Sequence, residues 1–218
     1  MKEVIHTYRM RQCSGKLNAL YFFDDVPGVA IANFGIGAPY NAMRLDLLLS
    51  WGVKQCISLG IAGGLQKDLS PGDIIVCDKA IRDEGTSHHY LSEGKYAYPS
   101  EPFTETLCQT LEEMNIAYKK GTSWTTDGFY RQTKEEIEQY QKEGVLTSEM
   151  EASALFSVAS LYQAPIISLF TISDTIGEME WKPSFEDSKT REGLKTLLEV
   201  ALKVASVDKK YPDIAHSP

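Results

Sequence analysis

Ser148-Glu149-Met150-Glu151 sets two carboxylates two positions apart, and Ser173-Asp174 follows 22 positions after Glu151. Acids gathered in one pocket can grip sugar hydroxyls and move protons. In an extended segment Glu149 and Glu151 share one face, whereas in a helix they diverge. The segment 145–147 is strand-like and an Ala-rich stretch follows. The pair therefore either lines a pocket at a strand end or decorates a helix N-terminus, where acids are favoured. Asp174 closes the apolar run 166–172, which reads as a buried strand. At the carboxyl end of such a strand it lies where open α/β sheets bind ligands. It is either a general acid or a cap for the next segment.

Phe129 and Tyr130 follow the strand-like run 121–126. Adjacent aromatics in a turn either pack or offer a face for a planar ring. The runs 35–39 (GIGAP) and 60–64 (GIAGG) each follow a strand. Each is either a tight turn or a cradle bringing backbone N–H groups to an anion or sugar. Neither fits a dinucleotide fingerprint or a P-loop. His88-His89 lacks the carboxylate and spacing of a zinc helix, which points to a surface or interface loop and no metal. No serine sits in a nucleophile elbow.

These residues need a frame. Short strands are expected over 19–23 and 29–34, and a strand over 55–59 ending in the second glycine run. Further strands are expected over 74–77, 121–126 and 166–172. Helices are expected over 41–51, with Met43, Leu47, Leu48 and Trp51 as its buried stripe and Arg44 to one side, and over 103–114. Thr133-Lys134-Glu135-Glu136 has capping-box spacing and opens a polar helix. Helices over 152–162 and about 187–204 complete the set. Residues 83–102 carry no periodicity and read as a long functional loop. The tail 209–218 reads as extended or frayed. Alternating elements predict a three-layer α/β fold, with a mostly parallel or mixed twisted sheet between helices.

The 218 residues suit one domain, here spanning the whole chain. A net charge of −8 without a basic cluster argues against nucleic acid as a partner, but not against a nucleoside, which has no polyanionic backbone. Cys13, Cys56, Cys77 and Cys108 show no metal or redox spacing and read as core residues. The opening residues lack the apolar run of a signal peptide, and no run reaches the length of a membrane span. The expectation is a cytoplasmic protein that does not use a membrane.

Taken in order, segments 35–39, 60–73 (GIAGGLQKDLSPGD), 80–90 (AIRDEGTSHHY), 125–132 (TTDGFYRQ), 149–154 (EMEASA) and 171–174 (TISD) resemble the nucleoside phosphorylase family of purine and uridine phosphorylases and nucleosidases. The resemblance spans roughly residues 28 to 205 and implies cleavage of a nucleoside's N-glycosidic bond. It implies that Glu151 binds the ribose hydroxyls, with Met150 against the sugar and Glu149 nearby. It puts Phe129 on the base with Tyr130 beside it, and Asp174 at the purine N7 with help from Ser173. The Asp-containing last motif resembles the purine branch.

The resemblance puts the phosphate-or-water site at Gly37, Ser58 and Gly60. Where family phosphorylases carry a strand Arg and, three positions on, a hydroxyl residue, this chain has Ser58 and Ile61. The family's N-terminal Gly-Asp-Pro-x-Arg loop has no counterpart in 1–25, a region that reads as shortened. Arg44 or Arg82 is the candidate replacement. No cofactor is implied beyond inorganic phosphate as co-substrate. Phosphorolysis is the leading expectation; hydrolysis by water and a binding protein without catalysis are the alternatives. The resemblance also implies a homo-oligomer, dimer to hexamer, with the loop 83–102 as the contact.

Overall fold

The structure, a computed structural model, describes residues 8, 10–13 and 20–207. The expectations for the first seven residues and for the tail beyond 208 lie outside them.

A small antiparallel sheet opens the described chain: β1 (Met10–Gln12), β2 (Leu20–Phe23) and β3 (Ala30–Ala32). The main sheet is built from β4 (Cys56–Gly64), β5 (Ile74–Asp83), β6 (Tyr96–Ala97), β7 (Lys119–Thr126), β8 (Thr147–Glu149), β9 (Ile166–Thr175) and β10 (Lys182–Pro183). Its order is β10-β9-β4-β8-β7-β5-β6. The long neighbours β4–β9 and β5–β7 are parallel, and the apolar runs of β5 and β9 are those of strands covered on both faces. An extra antiparallel pairing, Ile74↔Thr171 to Val76↔Leu169, joins β5 to β9. The mixed sheet therefore curls back on itself into a barrel-like closure.

Helices cover both sides. On one side α1 (Ala38–Ser50) and α4 (Ala152–Tyr162) share a core with Ala62, Ile75, Cys77, Phe170 and Ile172. On the other, α2 (Glu101–Glu113) and α5 (Ser188–Val207) pack on Ile74, Val76, Ile167 and Leu169. This is the expected three-layer α/β arrangement. The polar helix α3 (Lys134–Lys142) begins at the capping box its spacing predicts. The Thr133 hydroxyl accepts from the Glu136 N–H, and the Glu136 carboxylate accepts from the Thr133 N–H. Among the described residues no helix is long and apolar enough to cross a membrane.

Two local expectations are corrected. First, the glycine run 60–64 does not follow the strand as a turn: it is the last part of β4, which ends at Gly64, with β9 on one edge and β8 on the other. Its glycines serve close approach. A Cβ on Gly63 would stand 3.1 Å from Asp174 Oδ2, and one on Gly64 3.2 Å from Leu69 Cβ. The run 35–37 is the bend it promised, with Gly35 and Gly37 at φ 79° and 108°.

Second, the buried face of α1 is Ala38, Ala42, Leu45 and Leu49, while Met43 and Trp51 stand 52% and 63% exposed. Ala38 and Ala42 let α1 lie close against Ala152, Ala154 and Ala159 of α4, Leu45 and Leu49 complete the contact, and Met43 and Trp51 are left outside.

The loop 83–102 is tied from within. Arg82, only 7% exposed, donates to the carbonyls of Ser87, Leu91, Ser92 and Gly94 and to the Ser87 hydroxyl. A 3-10 turn at Ser87–His89 and the pairing of β6 with β5 complete it.

Candidate active site

One row of paired residues crosses five strands: Trp124↔Ser148, Ser148↔Gly63, Gly63↔Asp174 and Asp174↔Pro183. Adjacent strands lie about 4.8 Å apart, which puts the Ser148–Glu151 segment and Asp174 about 10 Å apart, with Gly63 between them. The two acidic motifs, separate in sequence, are thereby brought to one end of the sheet.

Glu149 is buried and saturated. One carboxylate oxygen accepts from Ser123 Oγ at 3.2 Å and Thr125 Oγ1 at 2.5 Å. The other accepts from the backbone N–H groups of Glu151 and Ala152 at 2.8 and 2.7 Å, capping α4. Burial, then the nearby Glu151 charge, pushes its pKa up to about 7. Glu151 points elsewhere. Its Oε1 accepts from the Gly37 N–H at 2.5 Å, and burial raises its pKa as well. The two carboxylates therefore part: Glu149 enters the framework, and Glu151 meets the glycine bend ahead of α1. Met150 between them is half-buried.

Asp174 is placed by an irregularity. The β4–β9 register shifts after Ala62↔Ile172, so that Gly63 faces Asp174 and Ser173 is the extra residue of a bulge. Bulges re-aim side chains and occur beside active sites. Ser173 Oγ donates to Asp174 Oδ1 at 2.7 Å, and Trp181 Nε1 donates to Oδ2 at 2.8 Å. Trp181 also meets Phe129 and Tyr130, ring centroids 6.2 and 6.3 Å away and both nearly perpendicular. Phe129 and Tyr130 stand edge to face at 4.7 Å. The aromatic pair and Asp174 thus form one corner.

Ser58 and Gly60 lie back along β4, roughly 16 and 10 Å from Gly63 at 3.3 Å per residue. They alternate onto the face carrying Ala62, which packs toward α1 and α4. Of the two candidate arginines, Arg82 has all three guanidinium nitrogens engaged within its own loop. Arg44 donates from Nη2 to the Tyr40 hydroxyl at 2.6 Å and lies over the Phe34 and Tyr40 rings. Its Nε is buried without a partner among the described residues. Among the described residues no cluster of three or more His, Cys, Asp or Glu is placed to hold a metal. The Cys56 thiol is pushed up to about 12 by burial, in keeping with an inert core residue.

Two residues in this region were not singled out from the sequence. Trp181 lies in a polar stretch where only an isolated large aromatic seven positions after Asp174 marks it. Gln132 donates to Ser148 Oγ at 2.7 Å, reaching the row from the turn after Tyr130. Two grooves are lined by other residues, the second reaching Thr175 and Lys182, one position from Asp174 and Pro183 of the row. One, of about 490 Å³, is lined by Met43, Arg44, Asp46, Leu47, Ser50 and Tyr90 on the outer side of α1. The other, of about 210 Å³, lies near Lys67 and Glu178.

A closed mixed sheet between helices, with acids and aromatics gathered at one end, is the frame of an α/β enzyme acting on a small cyclic substrate. The chain belongs to the Phosphorylase superfamily, whose family profile matches residues 12–206. It is 28% identical over 200 residues to the DeoD-type purine nucleoside phosphorylase of Caldanaerobacter subterraneus subsp. tengcongensis, covering 89% of this chain and 84% of that protein. It is 27% identical over 188 residues to the guanosine phosphorylase of Halorubrum lacusprofundi, covering 86% and 77%. Its fold is shared with the Toxoplasma gondii purine nucleoside phosphorylase solved with immucillin-H, at TM-score 0.86 and 20% identity, over 96% of this chain and 88% of that one.

Proposed function

We propose that this chain cleaves purine nucleosides by phosphorolysis, giving the free base and ribose 1-phosphate. The observation that carries this reading is the corner where Asp174 meets Phe129, Tyr130 and Trp181, one strand-row across from Glu151. The names of the relatives, purine nucleoside phosphorylase and guanosine phosphorylase, support the purine preference.

In this reading a phosphate oxygen bonds to ribose C1′ as the C1′–N9 bond breaks. The bonding electrons pass into the purine, and a proton from Asp174 settles on N7. Proton donation of this kind contributes about 10²–10⁴ in rate. The transition state is oxocarbenium-like, so the Glu151 carboxylate both orients the ribose hydroxyls and favours the developing positive charge. Met150 borders the sugar, Phe129 stacks on the base with Tyr130 beside it, and Ser173 steadies Asp174. Glu149 acts at one remove, by fixing the α4 N-terminus that carries Glu151. Gly37, whose N–H is held by Glu151, marks the phosphate side, with Ser58 and Gly60 on β4. With Arg82 consumed, Arg44 is the remaining candidate guanidinium, and it stands in the groove on the outer side of α1.

Ser58, in place of a strand arginine, favours the second reading, hydrolysis by water to free ribose. Base release from inosine, guanosine and adenosine with and without inorganic phosphate separates the two. Release only with phosphate is expected; release without it makes the chain a nucleosidase. Silence in both arms favours a binding protein without catalysis.

We also read the protein as a cytoplasmic homo-oligomer. The outward Met43 and Trp51 of α1, with Leu161 and Tyr162 nearby in the fold, supply an apolar face for a second copy. A monomer in light scattering at micromolar concentration overturns this.

A further inference from the structure

We infer that Trp181 is a latch on Asp174: its indole N–H occupies the carboxylate oxygen that the base must use, and substrate binding displaces it. The inference rests on the purine-cleaving reading above.

Both oxygens of Asp174 are engaged, Oδ1 by Ser173 and Oδ2 by Trp181. The floor is closed as well, because a Cβ on Gly63 would come within 3.1 Å of Oδ2. Asp174 is 8% exposed, so a purine N7 approaching Oδ2 meets the Trp181 indole that already bonds it. Ser173 cannot yield. It is fully enclosed, adjacent in the chain, and held in the bulge by the Ser184 N–H donated to its carbonyl at 2.9 Å.

Trp181 can yield. It is 43% exposed and sits on the loop between β9 and β10, and β10 is only two exposed residues paired to the sheet edge. Its neighbours Phe129, Tyr130 and Phe185 touch it at ring distances of about 6.2–6.3 Å, contacts that reform after a small swing.

Proton chemistry points the same way. An indole nitrogen only donates. A proton on Oδ2 weakens that oxygen as an acceptor and so weakens its bond to the Trp181 N–H. A base taking a proton from Oδ2 stands where the indole stands, so the indole must move aside. The latch caps Oδ2 in the free site and releases it when a base enters the aromatic corner.

The test is Trp181→Phe, which keeps an aromatic ring and removes the N–H, beside Trp181→Ala, which removes both. With inosine or guanosine, Trp181→Phe is expected to lower KM roughly five- to tenfold with kcat within a factor of about three, because substrate no longer competes with a hydrogen bond of ordinary strength. Trp181→Ala is expected to raise KM through loss of the ring. An unchanged or raised KM in Trp181→Phe overturns the latch.

A second readout does not need turnover. Three tryptophans give three indole N–H resonances, and Trp181→Phe assigns the one from Trp181. That resonance is expected to move in Asp174→Asn and again on saturation with guanine. A resonance indifferent to both overturns the inference, whether or not the wild type is active. A wild type that releases no base, yet shows both movements, overturns the proposed activity and leaves the latch standing.

Discussion

Glu149 and Asp174 are both buried carboxylates at strand ends, yet they are held in opposite ways. Glu149 accepts from two hydroxyls and two backbone N–H groups, all belonging to β7 or to the start of α4. Asp174 accepts from two side chains, one of them on an exposed loop. What separates a strut from a working acid is how firmly its donors are fixed. A carboxylate whose acceptor sites are filled by the framework has none to spare for a ligand. One whose donor can leave has an acceptor in reserve.

The widest gap between the two should show in turnover. Asp174→Ala is expected to cut kcat for purine nucleosides by about 10²–10⁴ with little change in melting temperature. Steady-state assays beside a thermal melt check this, and a fall of less than tenfold would make Asp174 a cap.

Glu149 should instead show itself in stability. Its folded-state pKa of about 7 exceeds the ordinary 4.5, so the fold binds its proton more tightly than the unfolded chain does. Its favourable contribution is complete below pH 4.5 and lost as pH rises through about 7. The loss amounts to at most about 3 kcal/mol. Glu149→Gln can turn its amide toward the hydroxyls and keep its oxygen on the N–H groups. It is expected to flatten the slope of stability between pH 5 and 8, read by denaturant melts. An identical slope in the two proteins would contradict this.

Between the two carboxylates lies Gly63. Gly63→Ala places a methyl carbon 3.1 Å from Asp174 Oδ2 and is expected to lower kcat/KM roughly tenfold by displacing the carboxyl. The smallest effect is a control remote from both: Thr133→Ala removes the capping box of α3, costing about 1 kcal/mol in a melt and nothing in turnover.

What could be read ahead of the structure was local. The capping box at Thr133, the apolar run ending at Asp174 and the Ala-rich α4 each carry their signal within a dozen residues. The glycine run 60–64 misled because its reason is not local. Gly63 and Gly64 are small on account of Asp174 and Leu69, and only the sheet pairing shows that. The stripe on α1 misled for a related reason. Size was taken as the sign of burial, but the close approach of α4 selects alanines and turns Met43 and Trp51 outward. Trp181 escaped notice because its role depends on a loop folding back onto β9, which no periodicity records. Arg82 could be named as a cation from sequence, while the carbonyls that consume it come from a loop without pattern.

The pairing of β4 with β9 has a consequence for how the molecule is made. Cys56 pairs with Ile166, 110 positions further along the chain. At about 5–20 residues per second, a ribosome presents β4 roughly 5–20 s before its partner emerges. Through that interval one flank of β4 has no native neighbour, and the closure between β5 and β9 waits for the same strand. Asp174 travels on β9, so this protein acquires its proposed proton donor and completes its barrel-like sheet in one late event of synthesis.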